Sequence, residues 1–195
     1  MAKQSRRETT EVLTQAVTLY LVDRRYSVHH EIGIKTRRRL DILSINYKGH
    51  IIGIEVKSGI DDYRADQKWR TYLPYVNKLY FCFPADMWNK HKDRLKQEIG
   101  QDAGVMVVET LVNGFIRTKI VKSVNERQIE SSVLLQNCIK MAWRGGESCA
   151  NYAKRASRRM HSNDPLAEPR KKRGAKQRNK IRSLPVRILW TGIKR

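Results

Sequence analysis

Apolar positions in residues 8–24 recur with the period of a helix. Val12, Leu13, Ala16, Val17, Tyr20 and Leu21 share one face, and Thr9 or Thr10 is placed to cap the start. Three strands follow at 27–34, 38–46 and 50–57, the second and third rich in Ile, Leu and Val. Asp61 or Asp62 predicts the start of a helix that runs to about Leu73, with Pro74 just beyond it. Lys78–Phe83 reads as a strand ended by Pro84, and Asp86–Glu98 as a surface helix. Residues 105–109 and 115–121 make a hairpin across Asn113-Gly114, a strong turn pair. Residues 126–143 read as a last helix, stopped by Gly145-Gly146. The leading elements therefore run helix, strand, strand, strand, helix, strand. A helix between the third and fourth strands requires a parallel crossover, so the expected fold class is α/β, with a mixed central sheet flanked by helices.

Three charges interrupt the second and third strands. Asp41 sits among Leu40, Ile42 and Leu43, while Glu55 and Lys57 alternate with Ile54 and Val56. Charged side chains are rarely buried unless paired or bound to a metal. A turn of Tyr47, Lys48 and a left-handed Gly49 pairs Asn46 with His50. Continued down the hairpin, that register sets Asp41 opposite Glu55. Opposed like charges destabilise a sheet, so either something compensates or the register differs by one. Alternation puts Lys57 on the face of Glu55. A Mg²⁺ ion, a hard cation that takes carboxylate oxygens and keeps several waters, compensates two carboxylates well. Lys57 is then placed to orient or deprotonate a water attacking a phosphate ester. The alternative is plain ion pairing of Asp41 and Glu55 with Lys57 on an open sheet face.

Charge adds a partner. The 195 residues carry a formal +21, and residues 151–195 hold 15 Lys and Arg against 2 Asp and Glu, a net of +13. Residues 1–150 keep the remaining +8. A polyanion is expected: DNA first, with RNA, or an anionic membrane surface, as the competitor. The stretch from Lys154 onward has few apolar residues before Leu184–Trp190, too few to fold alone. The chain thus divides into a folded domain, 1–146, and a basic tail, 147–195, whose Arg170, Lys171, Lys172 and Arg173 form its densest run. Lys35, Arg37, Arg38 and Arg39 lead into Asp41 and would hold a nucleic-acid backbone beside it. Arg6 and Arg7 offer further phosphate contacts. Arg64 and Lys68 lie one turn apart on the following helix, as do Asp62 and Asp66. They read either as phosphate contacts or as a solvated, internally paired helix face. Trp69 and Tyr72 read as core, and His29-His30-Glu31 as ordinary strand content. Three cysteines without CxxC spacing, a start without an apolar leader and no apolar run near ~20 residues fit a cytoplasmic, DNA-associated protein outside the membrane.

Asp41, Glu55-Val56-Lys57 and the element order resemble the PD-(D/E)XK nuclease superfamily, with Leu40 where the superfamily name has proline. Over about residues 10–125 the chain is similar to the MmcB family of DNA repair proteins. The string that carries this is Glu55-Val-Lys-Ser58, Asp62-Tyr-Arg-Ala-Asp66-Gln-Lys68-Trp69, Tyr72 and Tyr80-Phe81. The resemblance implies a restriction-endonuclease-like αβββαβ core. It also implies Asp41 and Glu55 as ligands of Mg²⁺ or Mn²⁺, the Val56 carbonyl as a further ligand and Lys57 as the catalytic lysine. Glu11 is the candidate for the first-helix glutamate of some members; as a plain residue it favours the helix N-terminus. The expected activity is endonucleolytic cleavage of DNA in repair or recombination, as a homodimer where both strands are cut. The alternatives are a DNA- or RNA-binding protein that keeps the fold without catalysis, and an interaction protein whose tail docks on an acidic partner.

Overall fold

The computed structural model describes residues 5–34, 38–66, 68–111 and 114–144. Helix α1 (Arg6–Asp23) is followed by β1 (Tyr26–Gly33), β2 (Arg39–Asn46), β3 (Ile51–Val56), α2 (Ile60–Ala65), a 3-10 helix (Trp69–Tyr75), β4 (Lys78–Pro84), α3 (Ala85–Ile99), β5 (Gly104–Thr110) and β6 (Ile116–Lys122). A last helix, α4, covers residues 131–144. The strands form one sheet in chain order, with β3, β4 and β5 parallel and the remaining neighbours antiparallel. The α/β class, the mixed sheet and the αβββαβ order expected of a restriction-endonuclease-like core are all present.

β4 is buried on both faces, which is why it is apolar from Leu79 to Phe83. Leu79, Phe81 and Phe83 pack into one cluster with Tyr63, Trp69, Tyr72, Trp88 and Leu95, while Tyr80 and Cys82 pack into the other with Leu13, Val17 and Leu21 of α1. Tyr63 and Trp69 both meet Phe81 edge-on, with ring centroids 5.2 and 5.3 Å away. Trp69 and Tyr72 are therefore core residues, and Cys82 is a fully buried thiol that burial pushes well above its ordinary pKa.

Five boundaries differ from the sequence pattern, each for a local reason. Helix α1 is capped by Ser5, not Thr9 or Thr10. Ser5 Oγ accepts from the Glu8 N–H while Glu8 Oε2 accepts from the Ser5 N–H, and the Thr9 and Thr10 hydroxyls instead bond back to the Ser5 and Arg6 carbonyls. The helix expected from Asp61 or Asp62 to Leu73 is two pieces, and it is the N-cap position of Gly59 that opens the first. The first stops at Asp66, whose φ of −98° and ψ of 78° leave the helix. The second is a 3-10 turn in which Trp69, Tyr72 and Tyr75 recur every third residue, and it contains Pro74 rather than ending before it. The last helix starts at residue 131 rather than 126. Val124 is buried, and the Arg127 N–H bonds to the Asn77 carbonyl at 2.9 Å, which ties 123–130 to the domain outside any helix.

Candidate active site

The β2–β3 hairpin has the register its turn predicts. Ile45 faces Ile51, Leu43 faces Gly53 and Ile42 faces Ile54, with Gly49 at φ +78°. One step further, Asp41 and Glu55 come together at the C-terminal end of β3. The ladder stops there, and Asp41 Oδ2 accepts the Val56 N–H at 2.7 Å.

A break in the neighbouring strand pair turns Asp41 in this direction. β1 and β2 pair His30 with Ile42 and Ile32 with Leu40, but Glu31, which lies opposite Asp41, makes no pair and has φ +54°. A left-handed non-glycine residue costs about 1–2 kcal/mol. On β1, Val28 packs with the α1 cluster while Ile32 and Ile34 pack on the opposite face; on β2, Ile42 and Leu40 divide in the same way. Side-chain alternation therefore reverses on both strands at Glu31 and Asp41. Glu31 in turn pairs with Arg39 at 3.4 Å.

Glu55 is 3% and Lys57 6% exposed. Lys57 Nζ lies 3.0 Å from Glu55 Oε2 and 2.7 Å from Asp66 Oδ2. The expected Glu55–Lys57 pair thus forms, but the second partner of the lysine is Asp66 rather than Asp41. Asp66 and Asp62 do not act as two acids on a solvated helix face. Asp62 Oδ2 accepts from the Ser58 N–H and hydroxyl at 3.1 and 3.2 Å, and its Oδ1 pairs with Arg6. Among the described residues Glu55 Oε1 is buried without a hydrogen-bond partner.

The electrostatics follow from this crowding. Burial and then the neighbouring Asp41 charge push Glu55 up to about 8, against the pull of Lys57. Burial also raises Asp41, although the Val56 N–H favours its charged form. For Lys57, burial opposes the charge, but Glu55 and Asp66 outweigh it and hold the ammonium above the usual lysine range. Burial likewise opposes the charge on Asp66, and the bond from Lys57 overrides it, leaving that carboxyl below its ordinary value. Tyr72, whose hydroxyl donates to the Arg39 carbonyl at 3.3 Å, is pushed to about 12 by burial and by the charges of Glu55 and Asp66.

A cleft of about 560 Å³ opens onto this end of the sheet, lined by Arg6, Arg7, Thr10 and Glu11 of α1 and by Asp41, Val56, Lys57, Ser58 and Asp62. Glu55 lies beneath that lining, covered by Lys57. Glu11 borders the cleft, and its carboxylate pairs with Arg7 at 3.1 Å. Of the other expected phosphate contacts, the described Arg38, Arg39, Arg64 and Lys68 do not line that cleft. Arg39 pairs with Glu31, and Arg64 lies 3.9 Å from Asp61. The Arg38 carbonyl accepts the Ile34 N–H where β1 turns towards β2, and Lys68 caps the 3-10 helix. Lys35, Arg37 and the Arg170–Arg173 run lie outside the described residues, as does the basic tail.

What this arrangement offers a cation is two carboxylates on adjacent strands, one with an unpartnered buried oxygen. Among the described residues no three His, Cys, Asp or Glu donors converge. Water and backbone carbonyl oxygen would have to complete the shell, which suits a hard ion that keeps several waters. The sequence pattern missed Asp66, Asp62, Ser58 and Glu31. Of these, Ser58, Asp62 and Asp66 lie in the string that carries the family resemblance, and Glu31 carries no signal. No described helix is long and apolar enough to cross a membrane.

A solved structure of a protein of unknown function from Silicibacter pomeroyi matches 76% of this chain and 91% of its own, at 18% identity and a TM-score of 0.60. Pyrococcus furiosus SfsA in complex with Ca²⁺ aligns over 64% of either chain, at 15% identity and a TM-score of 0.35. No curated protein sequence matches. Residues 1–141 match the family described as DNA repair protein MmcB-like. They include the β2–β3 hairpin, the Lys57–Asp66 pair and every described residue that lines the cleft, and the chain belongs to the MmcB-like DNA repair protein family.

Proposed function

We propose that this chain is a Mg²⁺- or Mn²⁺-dependent DNA endonuclease of the PD-(D/E)XK type that acts in repair or recombination. The observation that carries the reading is the pair Asp41 and Glu55, one residue beyond the last β2–β3 pair Ile42–Ile54, with Glu55 Oε1 buried beside a lysine and unpartnered among the described residues. Asp41 and Glu55 would hold the ion, with the Val56 carbonyl as a further oxygen. Bound there, the ion would polarise a phosphodiester oxygen and lower the pKa of the attacking water. Lys57, whose ammonium Glu55 and Asp66 hold above the usual lysine range, would orient water and stabilise charge developing on the phosphate. Arg6 and Arg7 line the same cleft and would contact the flanking DNA backbone. The basic tail would raise affinity without reading sequence.

Cleavage of plasmid, single-stranded and branched DNA with Mg²⁺ or Mn²⁺ is the direct test. Asp41→Ala and Glu55→Ala are each expected to reduce the rate by at least about a hundredfold, as loss of groups that stabilise developing charge does. Cutting that survives both substitutions would sink the assignment. The second reading is a DNA- or RNA-binding protein that keeps the fold, favoured by Lys57 covering Glu55. Metal-independent binding with no cleavage of any of the three DNAs would select it.

A further inference from the structure

We infer that Asp66 is the positioning residue of this site: it keeps the Lys57 ammonium in place when a divalent cation takes Glu55. The role rests on Asp41 and Glu55 being the metal ligands. Lys57 Nζ bonds both Glu55 Oε2, at 3.0 Å, and Asp66 Oδ2, at 2.7 Å. A cation between Asp41 and Glu55 competes with the ammonium for Glu55. If Glu55 were the only partner, cation entry would strand a buried ammonium, which is costly. Asp66 removes that cost by offering a second carboxylate already in contact. Three carboxylates, Asp41, Glu55 and Asp66, then balance one ammonium and one divalent cation.

Asp66 is built for the task. Its N–H bonds to the Tyr63 carbonyl at 3.2 Å, and its Oδ1 accepts the Lys68 N–H at 3.3 Å. The residue caps α2 at its C-terminal end and is held at both backbone and side chain. Its side chain is 21% exposed, between the buried lysine and solvent. Moving Lys57 fully onto Asp66 would uncover Glu55, which does not itself border the cleft.

Calorimetric titration of the full chain with Mn²⁺ alone tests this without reference to activity. Asp66→Asn keeps the shape and the Lys68 bond but removes the charge, and it should weaken Mn²⁺ binding by about tenfold or more, the usual scale for a residue that supports a ligand shell. Asp66→Glu should recover most of the loss. In a Lys57→Met background, where no ammonium needs a partner, Asp66→Asn should change Mn²⁺ affinity less than about twofold, because the coupling runs through Lys57. On DNA, Asp66→Asn should lower kcat with KM nearly unchanged. Wild-type Mn²⁺ affinity in Asp66→Asn overturns the inference, as does an equal loss in the Lys57→Met background. A wild-type chain that takes up Mn²⁺ yet cuts no DNA ends the nuclease reading alone, and the titrations still decide the role of Asp66. No Mn²⁺ uptake by the wild type ends both.

Discussion

Glu55 carries an energetic conflict that a cation or a proton can relieve. Without a cation its carboxyl is raised to about 8 by burial and by Asp41, while in the unfolded chain it titrates near 4.5. Between those values the unfolded state gives up a proton that the folded state retains, so stability falls as pH rises from about 4.5 to about 8 and this contribution levels off above. Urea unfolding of metal-free protein should show that decline, on the order of a few kcal/mol in total. Glu55→Gln should flatten it, and saturating Mn²⁺ should flatten it in the wild type. A decline that Glu55→Gln leaves intact would place the titrating group elsewhere. Lys57 contributes in the opposite sense: its raised ammonium stabilises the fold throughout neutral pH, and that contribution is lost only in strong alkali.

At the scale of elements, the site depends on how β3 and β4 pack. An added Cβ at Gly53 would stand 2.9 Å from Val76 Cγ1 and 3.2 Å from Leu40 Cδ1, both side-chain atoms able to give a little. At Gly104 it would stand 2.3 Å from the Tyr80 ring and 2.8 Å from the Lys122 carbonyl, and backbone cannot step aside. Gly104→Ala should therefore destabilise more than Gly53→Ala. Overpacking of this kind costs about 1–3 kcal/mol, visible as a lower thermal midpoint. Equal midpoints for the two variants would show that β6 yields freely. The capping box on α1 also bears on the cleft, because the turn it starts carries Arg6 and Arg7. Ser5→Ala should cost about 1 kcal/mol.

For the whole molecule, charge is the dominant property. Residues 151–195 contribute +13 of the +21. If they anchor nucleic acid, deleting 147–195 should weaken DNA binding and flatten the dependence of log K on log salt, since fewer counterions are released. Binding titrations at several salt concentrations read both. An unchanged slope would assign the contacts to the domain itself, with Arg6 and Arg7 of the cleft as the first residues to test.

The sequence by itself determined the α/β class, the mixed sheet with its parallel crossover and the register of the β2–β3 hairpin. Those features come from apolar alternation within each strand and from one short turn, Tyr47 to Gly49, whose geometry sets the register of everything above it. Ser5-x-x-Glu8 is also legible in the sequence as a capping box, ahead of Thr9 and Thr10. Only the tertiary structure decided the rest. The reversal of alternation at Glu31 and Asp41 arises where two strands break their pairing together. The split of the second helix follows from Tyr63, Trp69 and Tyr72 all reaching the same core while Asp66 turns to Lys57. Lys57 chooses Asp66 over Asp41 because the parallel crossover from β3 brings that acid back across its own strand end. A salt bridge between residues nine positions apart leaves no periodic trace in the chain. Local patterns encode which residues alternate and turn; which charge a buried lysine meets is a property of packing.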